Sequence, residues 1–165
     1  MVLVRSRILA FTAPICLAVA ALAPSTAKAA DIGVFVSGAD PSAFWSHGFG
    51  GYLGITLFNV VGLEIEGAKQ NGQVADSSMF SLSGRAFLAP SFGRLVPYGG
   101  LSFGGFRESL GDQDDWKRRT SVFVGAKLKF PLGLTFRGEY EWVDVSNDSL
   151  IPMDHRYYGG VGFSF

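Results

Sequence analysis

The sequence predicts an all-β chain: an eight-stranded antiparallel up-and-down transmembrane β-barrel preceded by an N-terminal signal peptide. Three observations predict it. Apolar residues alternate with small or polar ones, at period 2, in eight segments of strand length. The connections between those segments alternate between short and long. The last segment, residues 157–165, sets Tyr157, Val161, Phe163 and Phe165 on one parity and Tyr158, Gly160, Gly162 and Ser164 on the other. It is a strand with one bulky apolar face, and it stops on an aromatic residue. Soluble domains seldom end this way, because chain ends usually fray into water.

The front of the chain comes first. Arg5 and Arg7 precede a run without charge from Ile8 to Leu22, followed by Pro24-Ser25-Thr26 and Ala27-Lys28-Ala29-Ala30. This is a basic n-region, an apolar h-region and an A-x-A site, with cleavage expected after Ala29 or Ala30. The run is short for a spanning helix, which needs about 20 apolar residues. Domain organisation is therefore a signal peptide over 1–30 and one barrel over 31–165. Cys16 lies in the removed segment, and Ile15 before it does not suit a lipoprotein signal, so the mature chain has no thiol and no cysteine metal site. Removal of Arg5, Arg7 and Lys28 leaves 11 basic against 14 acidic residues, a net charge of −3. That is no footprint for nucleic acid.

The strands are expected at 32–38, 47–57, 61–69, 78–89, 95–106, 120–130, 133–143 and 156–165. Residues 58–60, 90–94 and 131–132 are short connections. Residues 39–46, 70–77, 107–119 and 144–155 are longer, polar ones. The second strand sets Phe49, Leu53, Ile55 and Leu57 against Gly50, Tyr52, Gly54 and Thr56. The third sets Val61, Leu63 and Ile65 against Glu64 and Glu66. The fourth sets Phe80, Leu82, Ala86 and Leu88 against Ser81, Ser83, Arg85 and Phe87. In the fifth, Leu101 and Phe103 are placed opposite Tyr98, Ser102 and Phe106. The sixth sets Val122, Val124, Ala126, Leu128 and Phe130 against Gly125, Lys127 and Lys129. The seventh sets Leu134, Phe136, Tyr140 and Trp142 against Thr135, Arg137, Glu139 and Glu141.

Two features turn the apolar parity toward lipid. The polar parity is rich in Gly, Ser and Thr, which suit a crowded interior where an eight-stranded barrel has room only for side chains. Aromatic residues gather near strand ends: Phe44, Trp45, Phe58, Phe92, Trp116, Phe130, Trp142, Tyr157 and Phe165. Such girdles mark the two membrane interfaces. The alternative is a soluble periplasmic barrel with the apolar parity lining a ligand cavity.

The lumen then holds Glu64, Glu66, Arg85, Lys127, Arg137, Glu139, Glu141 and Arg156. Counted along each strand, Glu64, Arg85, Lys127 and Arg137 are expected in one layer, with Glu66, Glu139, Glu141 and Arg156 above. Buried charges must pair, so the expected result is a salt-bridged core; a narrow gated ion path is the sharper alternative. Glu139 and Glu141 share a face but sit among cations, so no catalytic residue is assigned. His47 and His155 lie near the outer rim, and no His-x-Ser pair accompanies them. Asp112, Asp114 and Asp115 fall short of a calcium loop. No cofactor and no metal are expected. Trp116, Lys117, Arg118 and Arg119, at the membrane boundary, are candidates to contact lipopolysaccharide phosphates, for which arginine is well shaped.

The hairpin Phe136-Arg137-Gly138-Glu139-Tyr140-Glu141-Trp142, a loop, then Tyr157 to Phe165 resembles the last hairpin of the OmpA-like outer-membrane barrel family. Pro97-Tyr98-Gly99-Gly100-Leu101 resembles that family's fifth strand. The likeness covers the mature chain as a pattern and short stretches as motif. It implies carboxylate–guanidinium and carboxylate–ammonium pairs inside the barrel, carried here by Glu139 and Arg137, with Glu64, Arg85 and Lys127. It also makes Tyr157, Val161, Phe163 and Phe165 the signal read by the barrel-assembly machinery. The expected protein is a non-enzymatic, monomeric component of the bacterial outer membrane, serving envelope integrity or surface interaction. Its expected partners are outer-membrane lipids and lipopolysaccharide. A lipid-modifying enzyme of the outer leaflet is the alternative from another class.

Overall fold

The computed structural model describes residues 27–39, 45–72, 77–110, 113–145 and 155–165. The n-region and h-region, Phe44 and Asp112 lie outside them.

Eight strands follow one another: β1 (Ala27–Ala39), β2 (Trp45–Leu57), β3 (Val61–Gly72), β4 (Ser77–Leu88), β5 (Leu95–Leu110), β6 (Gln113–Lys129), β7 (Leu134–Val145) and β8 (His155–Ser164). Each pairs antiparallel with the next, and β8 pairs back onto β1 to close the barrel. At the seam, Ala30 and Phe165 exchange backbone hydrogen bonds of 2.7 and 2.9 Å. Closure leaves no sheet edge, the condition for strands to cross a bilayer. Among the described residues no helix is long and apolar enough to cross a membrane.

The short connections share one end of the barrel. In the tightest, Phe58 and Asn59 both take positive φ, 52° and 62°, and the Val60 amide donates to the Leu57 carbonyl at 3.1 Å. Those angles match the twist of the flanking strands. A left-handed phenylalanine costs about 1–2 kcal/mol. What Phe58 adds is its ring, which stands exposed at this rim with Phe92, Phe130 and Phe165.

Two expectations about length change. β1 starts at Ala27 rather than at residue 32. The expected polar loop 107–119 is mostly strand, since β5 and β6 stay paired as far as Leu110↔Gln113. Above the apolar band both faces of a strand meet polar surroundings. Hydrophobic alternation therefore vanishes there while the backbone ladder continues.

The faces follow the alternation, β5 included. Outward side chains are apolar and exposed, among them Val36 at 68 % and Phe103 at 63 %. Inward side chains are polar or aromatic and buried, with Glu66, Glu141 and Arg156 each at 1 %. A barrel stable in water would reverse this order, because charged residues are almost never the most buried ones. Two aromatic clusters share the interior with the charges: Phe87, Ala89, Val96, Tyr98 and Phe123, and Phe35, Tyr52, Ala68 and Tyr158.

Candidate functional site: the charged lumen

Among the described residues, five acids and five bases are buried in the lumen: Asp31, Glu64, Glu66, Glu139 and Glu141 against Arg85, Arg119, Lys127, Arg137 and Arg156. These ten cancel in sum, and they divide into three tiers.

The middle tier is built around two guanidiniums. Glu64 on β3 and Arg85 on β4 are direct cross-strand partners. Arg85 Nη1 donates to Glu64 at 2.9 Å and to Glu66 at 2.7 Å, and its guanidinium also contacts Glu139 and the Tyr158 hydroxyl. Arg137 reaches across the lumen to Glu64 with Nη1 at 2.8 Å, and meets Glu139 with Nη2 at 3.0 Å. Its Nε donates to the Tyr98 hydroxyl at 3.2 Å. Glu64 and Glu139 therefore each serve two arginines. Aromatic faces close the space around them: the Arg85 guanidinium lies 3.8 Å from the centroid of Phe123, that of Arg137 4.2 Å from Tyr52. Such contacts gain strength when desolvated.

Toward the loop end, Arg156 Nε donates to Glu141 at 2.7 Å and Nη2 to Glu66 at 2.5 Å. Glu141 also accepts from the Ser121 hydroxyl at 2.5 Å and stands 2.6 Å from Arg119 Nη2, an ion-pair contact without hydrogen-bond alignment. Arg119 Nε and Nη1, Arg156 Nη1 and Gln70 Oε1 find no hydrogen-bond partner among the described residues. Toward the turn end, Lys127 Nζ donates to Asp31 at 2.9 Å. This pair borders a cavity of about 230 Å³, lined also by Thr56, Asn59, Ser91 and Lys129.

The structure joins Glu64, Glu66, Arg85, Arg137, Glu139, Glu141 and Arg156 in one network. Lys127 stands apart from them, paired with Asp31, although Arg137 is its cross-strand neighbour. The two-layer expectation is corrected in the same way for Glu139, which belongs to the middle tier. Strands in a barrel are tilted and staggered, so equal counts along two strands are not equal heights.

The basic run at the boundary also needs correction. Trp116 and Arg118 are exposed on the outward parity of β6. Arg119 is buried at 3 % in the lumen and bound to Glu141, so it does not face lipid. Lys117 shares the inward parity and is half-buried. Period 2 sends neighbours in a strand to opposite faces. Sequence reasoning also missed Asp31, Tyr158, Tyr98 and Ser121. The inward parity was the available signal for the last three. Tyr157, Val161, Phe163 and Phe165 all point outward and are exposed. His47 is exposed on β2, and the His155 ring lies 5.7 Å from that of Tyr140. The side chains of Asp114 and Asp115 lie outside the described residues.

A family model described as outer membrane protein beta-barrel domain matches residues 9–165. The chain belongs to that family. As an outer-membrane barrel of bacteria it has close likenesses of fold among solved structures. It is similar to Neisserial surface protein A (15 % identity, 82 % of this chain and 94 % of that chain, TM-score 0.58). It is similar to the N-terminal β-barrel domain of OprF from Pseudomonas aeruginosa (18 % identity, 84 % and 98 %, TM-score 0.59). A designed transmembrane β-barrel is also similar (13 % identity, 84 % and 97 %, TM-score 0.61). No curated protein sequence matches the chain.

Proposed function

We propose that this outer-membrane barrel is a non-enzymatic, monomeric wall element of the envelope, with a plugged lumen that passes solutes poorly or not at all. The observation that carries the reading is the neutral set of ten buried charges, cross-linked between strands and packed between aromatic rings. No carboxylate there is free for acid–base work. Glu139 is held by Arg85 and Arg137, and Glu141 by Arg119, Arg156 and Ser121. The outward aromatic residues of β8 suit recognition by the assembly machinery, and the basic and aromatic outer rim suits contact with lipid. Processing after Ala29 would keep Ala30, which pairs with Phe165 at the seam.

The test is conductance of the refolded protein in planar bilayers. No steady open-channel current is expected for the native chain. A steady native current whose conductance shifts in Glu64→Ala and Arg137→Ala would establish an ion path instead; conductance unchanged or absent in both would not. A serine-hydrolase probe labelling one serine would overturn the non-enzymatic reading.

A further inference from the structure

The sheet register sets one row of outward residues side by side on five neighbouring strands. Phe49 on β2 is the partner of Lys69 on β3, Lys69 of Phe80 on β4, Phe80 of Arg107 on β5, and Arg107 of Trp116 on β6. All five are exposed. Cations and aromatic rings thus alternate around more than half of the barrel wall. Arg118 stands two residues from Trp116 on the same face, opposite Gly105. A Cβ at Gly105 would meet the Trp116 ring at 3.1 Å, so the ring lies across β5 at that point.

The row marks a boundary. Below it on β3 to β6, the outward positions from Val61 to Gly67, Leu88 to Leu82, Leu95 to Gly105 and Phe130 to Thr120 carry no charge. From Val61 to Lys69 the strand climbs about 26 Å, or about 20 Å along the barrel axis at a tilt of about 40°. That is close to the apolar band of about 25 Å in such barrels. A row of register partners crosses tilted strands and so climbs: from Leu95 to Arg107 the rise is about 40 Å along the strand, or about 30 Å along the axis. Lys69 just below and Arg107 just above therefore bracket the level where hydrocarbon ends, with Arg118 between them, on the side of the longer connections, which in these barrels faces outward. Among the described side chains, the titratable groups flanking the row on this face are His47 on β2 and Asp144 on β7, the latter opposite Thr120 and diagonal to Arg118.

We infer that this row is a binding surface for a bis-phosphorylated glycolipid of the outer leaflet, the lipid A part of lipopolysaccharide. The inference rests on the outer-membrane reading and gives the lipid contact its residues: Lys69 and Arg107 join Arg118 and Trp116, while Lys117 and Arg119 drop out. Lys69 and Arg107 are two strands apart, about 10 Å. One phosphate does not span that gap, whereas two phosphates on a disaccharide reach both ends. Arg107 and Arg118 offer planar forks for one of them. The rings and the aliphatic wall below receive the acyl chains.

Native mass spectrometry of the refolded barrel with bis-phosphorylated lipid A, monophosphorylated lipid A and phosphatidylglycerol tests this. The bis-phosphorylated lipid is expected to be retained most tightly. The triple variant Lys69→Gln, Arg107→Gln, Arg118→Gln is expected to bind it about a hundredfold more weakly, at about fivefold per cation. Arg94→Gln at the turn end keeps full binding. Heat-dependent gel migration reports separately whether each variant is a closed barrel; if the triple variant is not, the single variants decide by their fivefold losses. Undiminished binding in the folded variants, or equal binding of phosphatidylglycerol, would overturn the assignment.

Discussion

The pair Asp31–Lys127 gives the cleanest test of how the lumen is held together, because it stands outside the shared network. Both side chains are less than 10 % exposed, and Nζ and Oδ2 are 2.9 Å apart. Asp31→Ala strands a buried ammonium close to the rings of Phe87 and Tyr98, whose centroids lie 5.2 and 5.5 Å away. Breaking a buried pair costs about 3–5 kcal/mol. The adjoining cavity of about 230 Å³ can admit water to the orphaned charge, which argues for the low end. The expected loss is about 3 kcal/mol, roughly a hundredfold in the folding equilibrium. The double variant Asp31→Leu, Lys127→Met removes both charges and keeps apolar bulk. It is expected within about 1 kcal/mol of the native protein, since apolar replacement of a buried pair is often neutral or stabilising. Urea titration in lipid vesicles, followed by fluorescence of the three tryptophans, measures all variants in one cycle. A double variant as unstable as the two singles summed would refute the idea that each charge is tolerated only because of the other.

Three further outcomes are expected. Arg119→Ala should lower stability by about 1–2 kcal/mol in the same titration, because Glu141 loses one cation but keeps Arg156 and Ser121, whereas Arg118→Ala should change it by less than about 0.5 kcal/mol. Gly62→Ala drives a methyl into the Phe87 ring inside the barrel and should cost about 1–3 kcal/mol; Gly138→Ala, with nothing within 4 Å of the new carbon, should be close to neutral. Phe165→Ala should slow assembly into vesicles catalysed by the insertion machinery more than it lowers equilibrium stability; equal rates for variant and native chains would remove Phe165 from the insertion signal.

Most of the strand pattern was legible because lipid on one side and packed polar groups on the other impose a strict period of two. Leu101 and Phe103 declared the outward face of β5 even where glycines blur it. The signal failed where the environment stops being two-sided. Arg119 sits among Trp116, Lys117 and Arg118 in a stretch where polar residues are tolerated on both faces, so parity could not be read from hydropathy. Asp31 was taken as the start of the mature chain rather than as a strand residue. Its pairing with Lys127 depends on stagger across a seam that only closure fixes. Arg85 and Glu64, by contrast, are direct partners on strands adjacent in sequence, and such neighbours are within reach of sequence reasoning.

The lumen contacts also have a consequence for time. Lys127 and Asp31 are 96 residues apart in the chain, Arg156 and Glu66 are 90 apart, and Arg137 and Glu64 are 73 apart. A half-built sheet holds β3 and β4 with Glu64, Glu66 and Arg85 in place, two carboxylates to one guanidinium. It gains Arg137 and Arg156 only when β7 and β8 arrive. A sheet of β1 to β4 therefore carries Asp31, Glu64 and Glu66 against Arg85 on the face that must become dry; Arg119 and Lys127 on β6 balance the sum, but Glu64 and Glu66 gain their second guanidiniums only with β7 and β8. The cost of each intermediate favours a late, concerted closing of the wall over a series of stable open sheets. The same contacts that plug the finished barrel thus act during assembly as a latch, released only by taking out several strands together.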